Sequence, residues 1–491
     1  MVSRKGIIFQ LRRITGTARI LFKNRMAIVG VILLLGFVFM ALAAPLLTSY
    51  NPYETVSGVE AQPDWVMNFP DGFYLSKNIV VVSDPLFNSP ASIQAWTATA
   101  SPSVLSTIQI SYAKGTASTA DSAGSLQITH TGNDSGVIQL SQQFQFPYHG
   151  PPKRFIASMS YLLSQTQPVH IRLFVVGANG EVFNLINAND TLAGLWRPSP
   201  SFSLDSTGVD IASALGSRTT GLTPPQLVFS DRGTYYYGVE LTFYGSQQIN
   251  IDNFQLNTYG TAWGLMGTDY AGSDVYTQVV YGARISLLVG LTAAAIGIGL
   301  GLIVGLLAGF LGKLVDEVLM RFTDMMLVIP SLPLLIVLVA VLGARIWNLI
   351  IIIGFLGWMG FARIVRSQVL TLRERPYIEA AKASGAGTGR IIYRHIFPNI
   401  VSLTYVNLAL TVPAAILSES ALAFLGLSDP TVNSWGHMFE NVNISGSLSH
   451  LPPPWWWVLP PGFSIALVSL SFILIGYALD EIFNPKLRRR Q

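Results

Sequence analysis

An all-α bundle of six membrane-spanning helices, interrupted between the first and second by a large β-rich insert, is the fold class the sequence predicts. Three observations carry it. Hydrophobic residues make up 50% of the 491 positions and charged ones only 11%, with a mean hydropathy of +0.46, too apolar for a soluble chain of this size. Several uncharged apolar stretches reach the roughly 20 residues that a spanning helix needs. Between residues 48 and 283 the composition shifts abruptly to Ser, Thr, Gln, Asn, Gly and Pro, with 16 acidic and 8 basic residues.

The spans run from Ala27 to Leu47, Ile285 to Leu311, Ile400 to Ser418 and Pro460 to Leu479. Two shorter stretches, Met325 to Leu342 and Ile346 to Ala362, are separated by Gly343, Ala344 and Arg345 and predict a tight helical hairpin. Pro330 and Pro333 mark a kink or irregular turn within the first of them. Six spans leave both termini on one side, and Lys and Arg near helix ends are retained in the cytoplasm. Basic residues gather before the first span (Arg4, Lys5, Arg12, Arg13, Arg19, Lys23, Arg25), after the second (Lys313, Arg321), between the fourth and fifth (Arg363, Arg366, Arg373, Arg375, Lys382, Arg390, Arg394) and in the tail (Lys486, Arg488, Arg489, Arg490). Together these are 20 of the 30, so both termini are expected in the cytoplasm. Ala41-Leu42-Ala43 offers small residues of the kind that precede signal-peptide cleavage. The apolar run outlasts the about 7–15 residues of a signal core, so an uncleaved anchor is expected.

The insert shows period-two alternation at Val169 to Val175, at Tyr235, Tyr237, Val239, Leu241 and Phe243, and at Ile249-Asn250-Ile251. Short strands punctuated by Gly, Pro and Asn predict an antiparallel β-sandwich.

The most specific signal is the segment Glu379-Ala380-Ala381-Lys382-Ala383-Ser384-Gly385, followed by Arg394-His395-Ile396-Phe397-Pro398-Asn399. Pro376 suits a helix start and Gly385 a helix end, and a second short helix would carry Ile391, Ile392 and Ile396. Small alanines let another protein approach closely, while Glu379 offers a fixed charge. This pattern resembles the EAA loop of ABC importer permeases, and the chain resembles the C-type permeases of the oligopeptide/dipeptide family. Further landmarks match in order: Phe22 to Pro52, with Lys23-Asn24-Arg25 before the helix; Gly267-Thr268-Asp269; Tyr281-Gly282-Ala283-Arg284; Met320-Arg321-Phe322-Thr323-Asp324; Phe424-Leu425-Gly426-Leu427; and Ser434-Trp435-Gly436. Gly272-Ser273-Asp274 and Gly476 to Glu481 depart from the family's usual forms, which weakens any transfer of substrate detail.

The resemblance implies a type I importer core at 284–483 with a coupling loop at 364–399, in which Glu379, Ala380, Ala381, Gly385, His395 and Pro398 dock on an ATPase. It further implies residues 1–47 as tail and first helix, 48–266 as an extracytoplasmic insert, 267–283 as a lead-in and 484–491 as a basic tail. The implied partners are a second homologous permease, two ATPase subunits and an extracellular solute-binding protein, in the plasma membrane of a prokaryote. ATP and Mg would be used by the partners, with no cofactor, metal or nucleic acid bound by this chain and no catalytic residue in it. Peptides are the family's usual cargo; oligosaccharides or nickel are alternatives. A membrane-anchored carbohydrate-binding module is the different-class alternative, and the coupling pattern argues against it.

Gly297, Gly301, Gly305 and Gly309 repeat every four residues and form a stripe that permits close backbone packing, either static or sliding during transport. Glu419 is an ionisable residue near the outer end of a clean span, where a gate or structural hydrogen bond competes with substrate contact. The histidines at 130, 149, 170, 395, 437 and 450 lack metal-ligand spacing, and Gly312-Lys313-Leu314 lacks the pattern of a phosphate-binding loop. Asn133, Asn189 and Asn443 begin Asn-x-Ser/Thr triplets. The closing stretch Tyr235 to Tyr259 has a faint likeness to carbohydrate-binding jelly rolls, so the insert is expected to bind sugar or to serve as a docking or shielding domain.

Overall fold

The structure, a computed structural model, describes residues 24–102 and 105–483; the basic residues before Asn24 and after Phe483 therefore lie outside the described residues. The chain forms two compact units, one from the segment ending at Pro52 together with the chain from Val275 onward, the other from Tyr53–Asp274.

The first unit is helical: α1 Arg25–Leu42, α2 Val275–Leu311, α3 Lys313–Val328, α4 Ser331–Leu342, α5 Ile346–Leu356, α6 Met359–Arg373, α7 Pro376–Ala383, α8 Phe397–Phe424, α9 Trp435–Ile444 and α10 Trp455–Phe483. Asn24 caps α1 by accepting from the Met26 N–H at 2.9 Å, while its amide donates to Glu481 at 2.6 Å and ties the start of α1 to the end of α10. Among the described residues five helical stretches are long and apolar enough to cross a membrane: α1, α2, Ile346–Arg373, Thr388–Phe424 and Trp455–Ile482.

The stretch from Met325 to Leu342 is sharply bent at Pro330, one of the two prolines where a kink or irregular turn is expected. α3 and α4 meet at a bend of 90°. Ile329 is extended (φ −72, ψ 126), as the residue before a proline prefers, and Pro330 offers no N–H to continue the helix. Pro333 adds no second kink, because in the first turn of α4 a missing donor costs nothing. The span expected to stop at Ala362 also changes: the helix breaks at Gly357 and Trp358, and α6 then continues to Arg373. Its arginines are tied to α3, with Arg363 2.5 Å from Asp324 and Arg366 gripping Asp316 through Nε at 2.5 Å and a second nitrogen at 2.6 Å. Paired charge does not end the helix.

The second unit holds eleven strands: β1 Ile79–Val80, β2 Thr97–Ala100, β3 Ile108–Lys114, β4 Gly124–His130, β5 Gly136–Phe146, β6 Arg154–Leu163, β7 Val169–Val176, β8 Val182–Asp190, β9 Arg197–Asp205, β10 Gly233–Phe243 and β11 Gln247–Tyr259. One sheet has the order β3-β4-β11-β6-β9 with β1 beside β11, and the other β2-β5-β10-β7-β8; all pairings are antiparallel. The alternation read from sequence is the burial pattern: Val169, Ile171, Leu173 and Val175 on β7 and Tyr235, Tyr237, Val239, Leu241 and Phe243 on β10 are fully buried in one cluster with Ile249, Ile251 and Leu256 of the other sheet. The ends of this unit are laced to each other. Val56 N–H donates to Gly272 (2.9 Å), Gln62 to Thr261 (2.8 Å), Asp64 to Gly264 (2.9 Å), and Thr268 back to Ala61 (2.8 Å).

This lacing predicts that residues 53–274, expressed alone, melt cooperatively with a β-type circular dichroism spectrum, and that residues 64–259 melt at lower temperature; equal melting of the two would contradict it. Acid should weaken the same fragment. Burial alone would raise the Asp205 carboxyl, but the Arg154 fork (2.9 and 2.5 Å) and the Thr207 N–H hold it below the usual range. Asp190 is likewise held low, against burial, by the Tyr161 hydroxyl and the Leu192 and Thr191 N–H groups. A depressed carboxyl contributes stability above its unfolded value, about 4, and loses it as the pH falls through the folded one. Asp205→Asn should flatten that acid limb in melts run between neutral and strongly acidic pH.

Candidate functional site

Pro376 opens α7 and Glu379 lies in its first turn. The helix ends as glycine at this position dictates: Gly385 has φ +77, its N–H reaches Lys382 O at 2.9 Å, and the Ala386 N–H reaches Ala381 O at 3.0 Å. This pair of bonds satisfies the last carbonyls of the helix. One side of the segment is anchored: Ile378, Ile391 and Ile396 are buried with Leu306 and Phe310 of α2 and Val365 and Val369 of α6. The Lys382 ammonium stands 5.6 Å over the Phe310 ring. The other side, with Glu379, Ala380, Ser384 and Gly385, is exposed, as is Tyr393 at 77%. Ala381 and His395 are half-buried, His395 facing the Tyr377 ring at 6.5 Å. The expected separate second helix is corrected: Thr388–Ile391 passes through a π-helical turn, Ile392–Ile396, directly into α8. The wider turn accommodates Pro398, whose ring would crowd the Arg394 carbonyl of a regular helix.

The glycine stripe faces the backbone of the α5–α6 stretch. A Cβ at Gly297 would lie 3.1 Å from Gly354 O, at Gly301 2.7 Å from Trp358 O, at Gly305 2.6 Å from Ala362 O and at Gly309 2.7 Å from Val369 Cβ. All four are buried. Through them the membrane-spanning part of the chain and the anchored side of α7 share one packed interior.

Glu419, 2% exposed, accepts from Ser434 Oγ at 2.6 Å. Ser434 also caps α9 by accepting from the His437 N–H (3.0 Å). A Cβ on Gly436 would stand 2.7 Å from the Glu419 carboxylate, so only glycine leaves it room. The buried Trp435 bonds α2 twice, its indole to Val279 O (2.9 Å) and its backbone N–H to Ser286 Oγ (3.1 Å). Ser434-Trp435-Gly436 thus joins α2, α8 and α9 around the carboxylate. Ser434→Ala should lower stability by about 1–3 kcal/mol, since a buried carboxylate loses its strong donor; an unchanged melting temperature in lipid nanodiscs would refute this. Nearby, Asp429 accepts from the Ile346 N–H at 2.9 Å and caps α5.

Sequence reasoning passed over one feature. Thr404, Asn407, Thr411, Ala414, Ser418 and Ala421 recur at alternating intervals of three and four along α8, and none is buried. The polar ones bond back to their own helix: Thr404 to Ile400 O (3.2 Å), Asn407 to Leu403 O (2.9 Å), Thr411 to Asn407 O (2.8 Å) and Ser418 to Ala414 O (2.8 Å). Along other apolar stretches, exposed positions include Ile303 (56%), Val341 (76%) and Leu470 (43%). The spacing was available in the sequence, but a span scored only for absence of charge conceals it.

Comparison with known proteins gives the chain's family. Residues 301–489 match the family described as binding-protein-dependent transport system inner membrane component, and residues 15–64 match the N-terminal TM domain of oligopeptide transport permease C. The chain is 41% identical over 224 residues to the dipeptide transport system permease protein DppC of Bacillus subtilis (strain 168), covering 45% of this chain and 69% of that one. It is 38% identical over 224 residues to the oligopeptide transport system permease protein OppC of the same organism, covering 45% and 72%. Among solved structures, TmCBM61 in complex with β-1,4-galactotriose aligns at a TM-score of 0.23 and 12% identity, over 36% of this chain and 97% of that one, too weak a likeness to assign a fold or ligand. With more than two thirds of such relatives covered at this identity, the chain belongs to the family of binding-protein-dependent transport system inner membrane components and is an integral membrane permease.

Proposed function

We propose that this chain is a permease subunit of an ATP-driven importer in which the polar face of α8 lines the route taken by peptides. The observation that carries the reading is that face itself. In hydrocarbon, partly exposed Thr404, Asn407, Thr411 and Ser418 would be costly, whereas beside a water-filled path they are not. Hydroxyl and amide groups without net charge suit the main chain of a peptide, whatever its side chains. The names of the DppC and OppC relatives support the same cargo; oligosaccharides or nickel are the alternatives within this role.

In this reading the exposed side of α7 with Glu379 docks on an ATPase, and Gly385 keeps the docking helix short. The working assembly is two related permeases, two ATPases that use ATP and Mg, and an external solute-binding protein, in a prokaryotic plasma membrane. The bent pair α3 and α4 counts as a sixth, broken span, both termini are cytoplasmic, and the insert is an extracytoplasmic β-sandwich. Glu419, held by Ser434, fixes the junction at the outer gate. The insert's excess of acidic over basic residues would attract a basic docking surface at low salt.

The test is peptide uptake by the complete transporter in proteoliposomes. Asn407→Leu should cut uptake at least tenfold with the complex still assembled, while Ile303→Leu, on an apolar exposed face, should not. Normal uptake by Asn407→Leu would sink the reading.

A further inference from the structure

We infer that the outward face of the insert's five-stranded sheet is a binding surface for a neutral oligosaccharide. The ladder sets four polar side chains in one row: Gln139 on β5 is opposite Glu240 on β10, Glu240 opposite Arg172 on β7, and Arg172 opposite Asn187 on β8. With strands about 4.8 Å apart the row runs about 14 Å, the length of a short oligosaccharide. These residues alternate with buried Ile138, Leu140, Val239, Leu241, Ile171 and Leu173, so they stand on the side away from the core.

The β7–β8 register supplies an independent sign of a built surface. Leu173 pairs with Ile186 and Phe174 with Asn184, leaving Leu185 as an extra residue. In a regular strand Asn184 and Asn187, three apart, would point to opposite faces. The bulge buries both Leu185 and Ile186 and leaves both amides exposed.

The chemistry of the face selects the ligand. Arg172 is neutralised by Glu240 at 2.6 Å, so an anion finds no unmatched cation. Among the described residues no hydrogen bond engages the side chains of Gln139 or Asn184, and each amide offers both donors and an acceptor. Tyr236, 40% exposed and in register with Gln143, puts a flat apolar ring on the same face, four residues along β10 from Glu240 and so about 13 Å from the row. A peptide strand would seek a sheet edge, where backbone groups are free, and not a face. Free amide donors and acceptors on a face that also carries an aromatic ring suit the hydroxyls of one sugar unit and the C–H groups of another along the same oligosaccharide.

The experiment uses the full chain in lipid nanodiscs, free of sugar-headed detergent, titrated calorimetrically with a panel of unbranched neutral hexasaccharides: cellohexaose, xylohexaose and maltohexaose. At least one should bind. Tyr236→Ala and Gln139→Ala should each weaken it tenfold or more without moving the melting temperature, and Gln109→Ala, on the other sheet, should leave it unchanged. Absence of binding by the whole panel at millimolar concentration would overturn the inference, as would binding that survives the Tyr236→Ala, Gln139→Ala double substitution.

Discussion

Valine at Gly305 is expected to lower the stability of the membrane unit clearly. Its Cβ would fall 2.6 Å from both Ala362 O and Val365 Cβ, and the first is backbone that cannot step aside without parting α2 from α6. Overpacking of a close-packed interior costs about 1–3 kcal/mol, and here the strain spreads along a stripe whose other members are as tight. Gly299 is the control, because a Cβ there meets nothing within 4 Å. Thermal unfolding in nanodiscs should show a clear drop for Gly305→Val and none for Gly299→Ala. Gly305→Ala separates a static contact from a moving one. A static contact lowers the melting temperature and leaves turnover per folded molecule alone, whereas a contact that slides during transport lowers turnover as well. An unaltered melt for Gly305→Val would mean that the α2–α6 contact is looser than its geometry requires.

The second large effect is expected at Gly385, where space is open but the backbone is not. A Cβ added there would meet no atom within 4 Å, yet φ is +77, so a side chain meets strain from its own backbone alone. That strain is about 1–2 kcal/mol for an ordinary L-residue and less for asparagine. Transport should therefore fall in the order Gly, Asn, Val, with Gly385→Val losing tenfold or more of both peptide uptake and uptake-linked ATP hydrolysis. Membrane insertion should be normal, because the anchored side of the segment, with Ile378, Ile391 and Ile396, is untouched. Full uptake by Gly385→Val would remove the segment from any role in coupling, and equal losses for Asn and Val would show that bulk, not φ, is what matters there.

Much of this was legible because it is local. A run of apolar residues states its own length, so α1, α8 and α10 could be placed to within several residues, whereas α2 starts at Val275, ahead of its apolar run from Ile285. Alternation states which side of a strand is buried, and Tyr235, Tyr237, Val239, Leu241 and Phe243 are buried as the alternation requires. Pro376 and Gly385 mark the ends of α7 because proline fixes one backbone angle and lacks an N–H, while glycine tolerates the positive φ of +77 that ends the helix. The bend at Ile329 and Pro330 was readable as irregular, but not as a turn of 90°, since a proline removes a hydrogen bond without saying where the next helix goes.

The sequence by itself therefore determined the membrane class, the positions of the clean spans, the change of composition at the insert, and the chemical identity of the loop around Glu379. Only the tertiary structure decided what each of these meets. The spacing of Gly297 to Gly309 permits close approach, but it is the stretch from Gly354 to Val369 that leaves added methyls at Gly301, Gly305 and Gly309 without room. Glu419 reads as a lone charge along the chain, and it acquires Ser434 and Gly436 only when α9 folds back onto α8. Likewise, Val56 and Gly272 are more than two hundred residues apart until the insert closes its own ends. Hydropathy and periodicity are sums over neighbours in sequence, whereas packing, pairing and exposure are relations between segments that only the folded chain brings together.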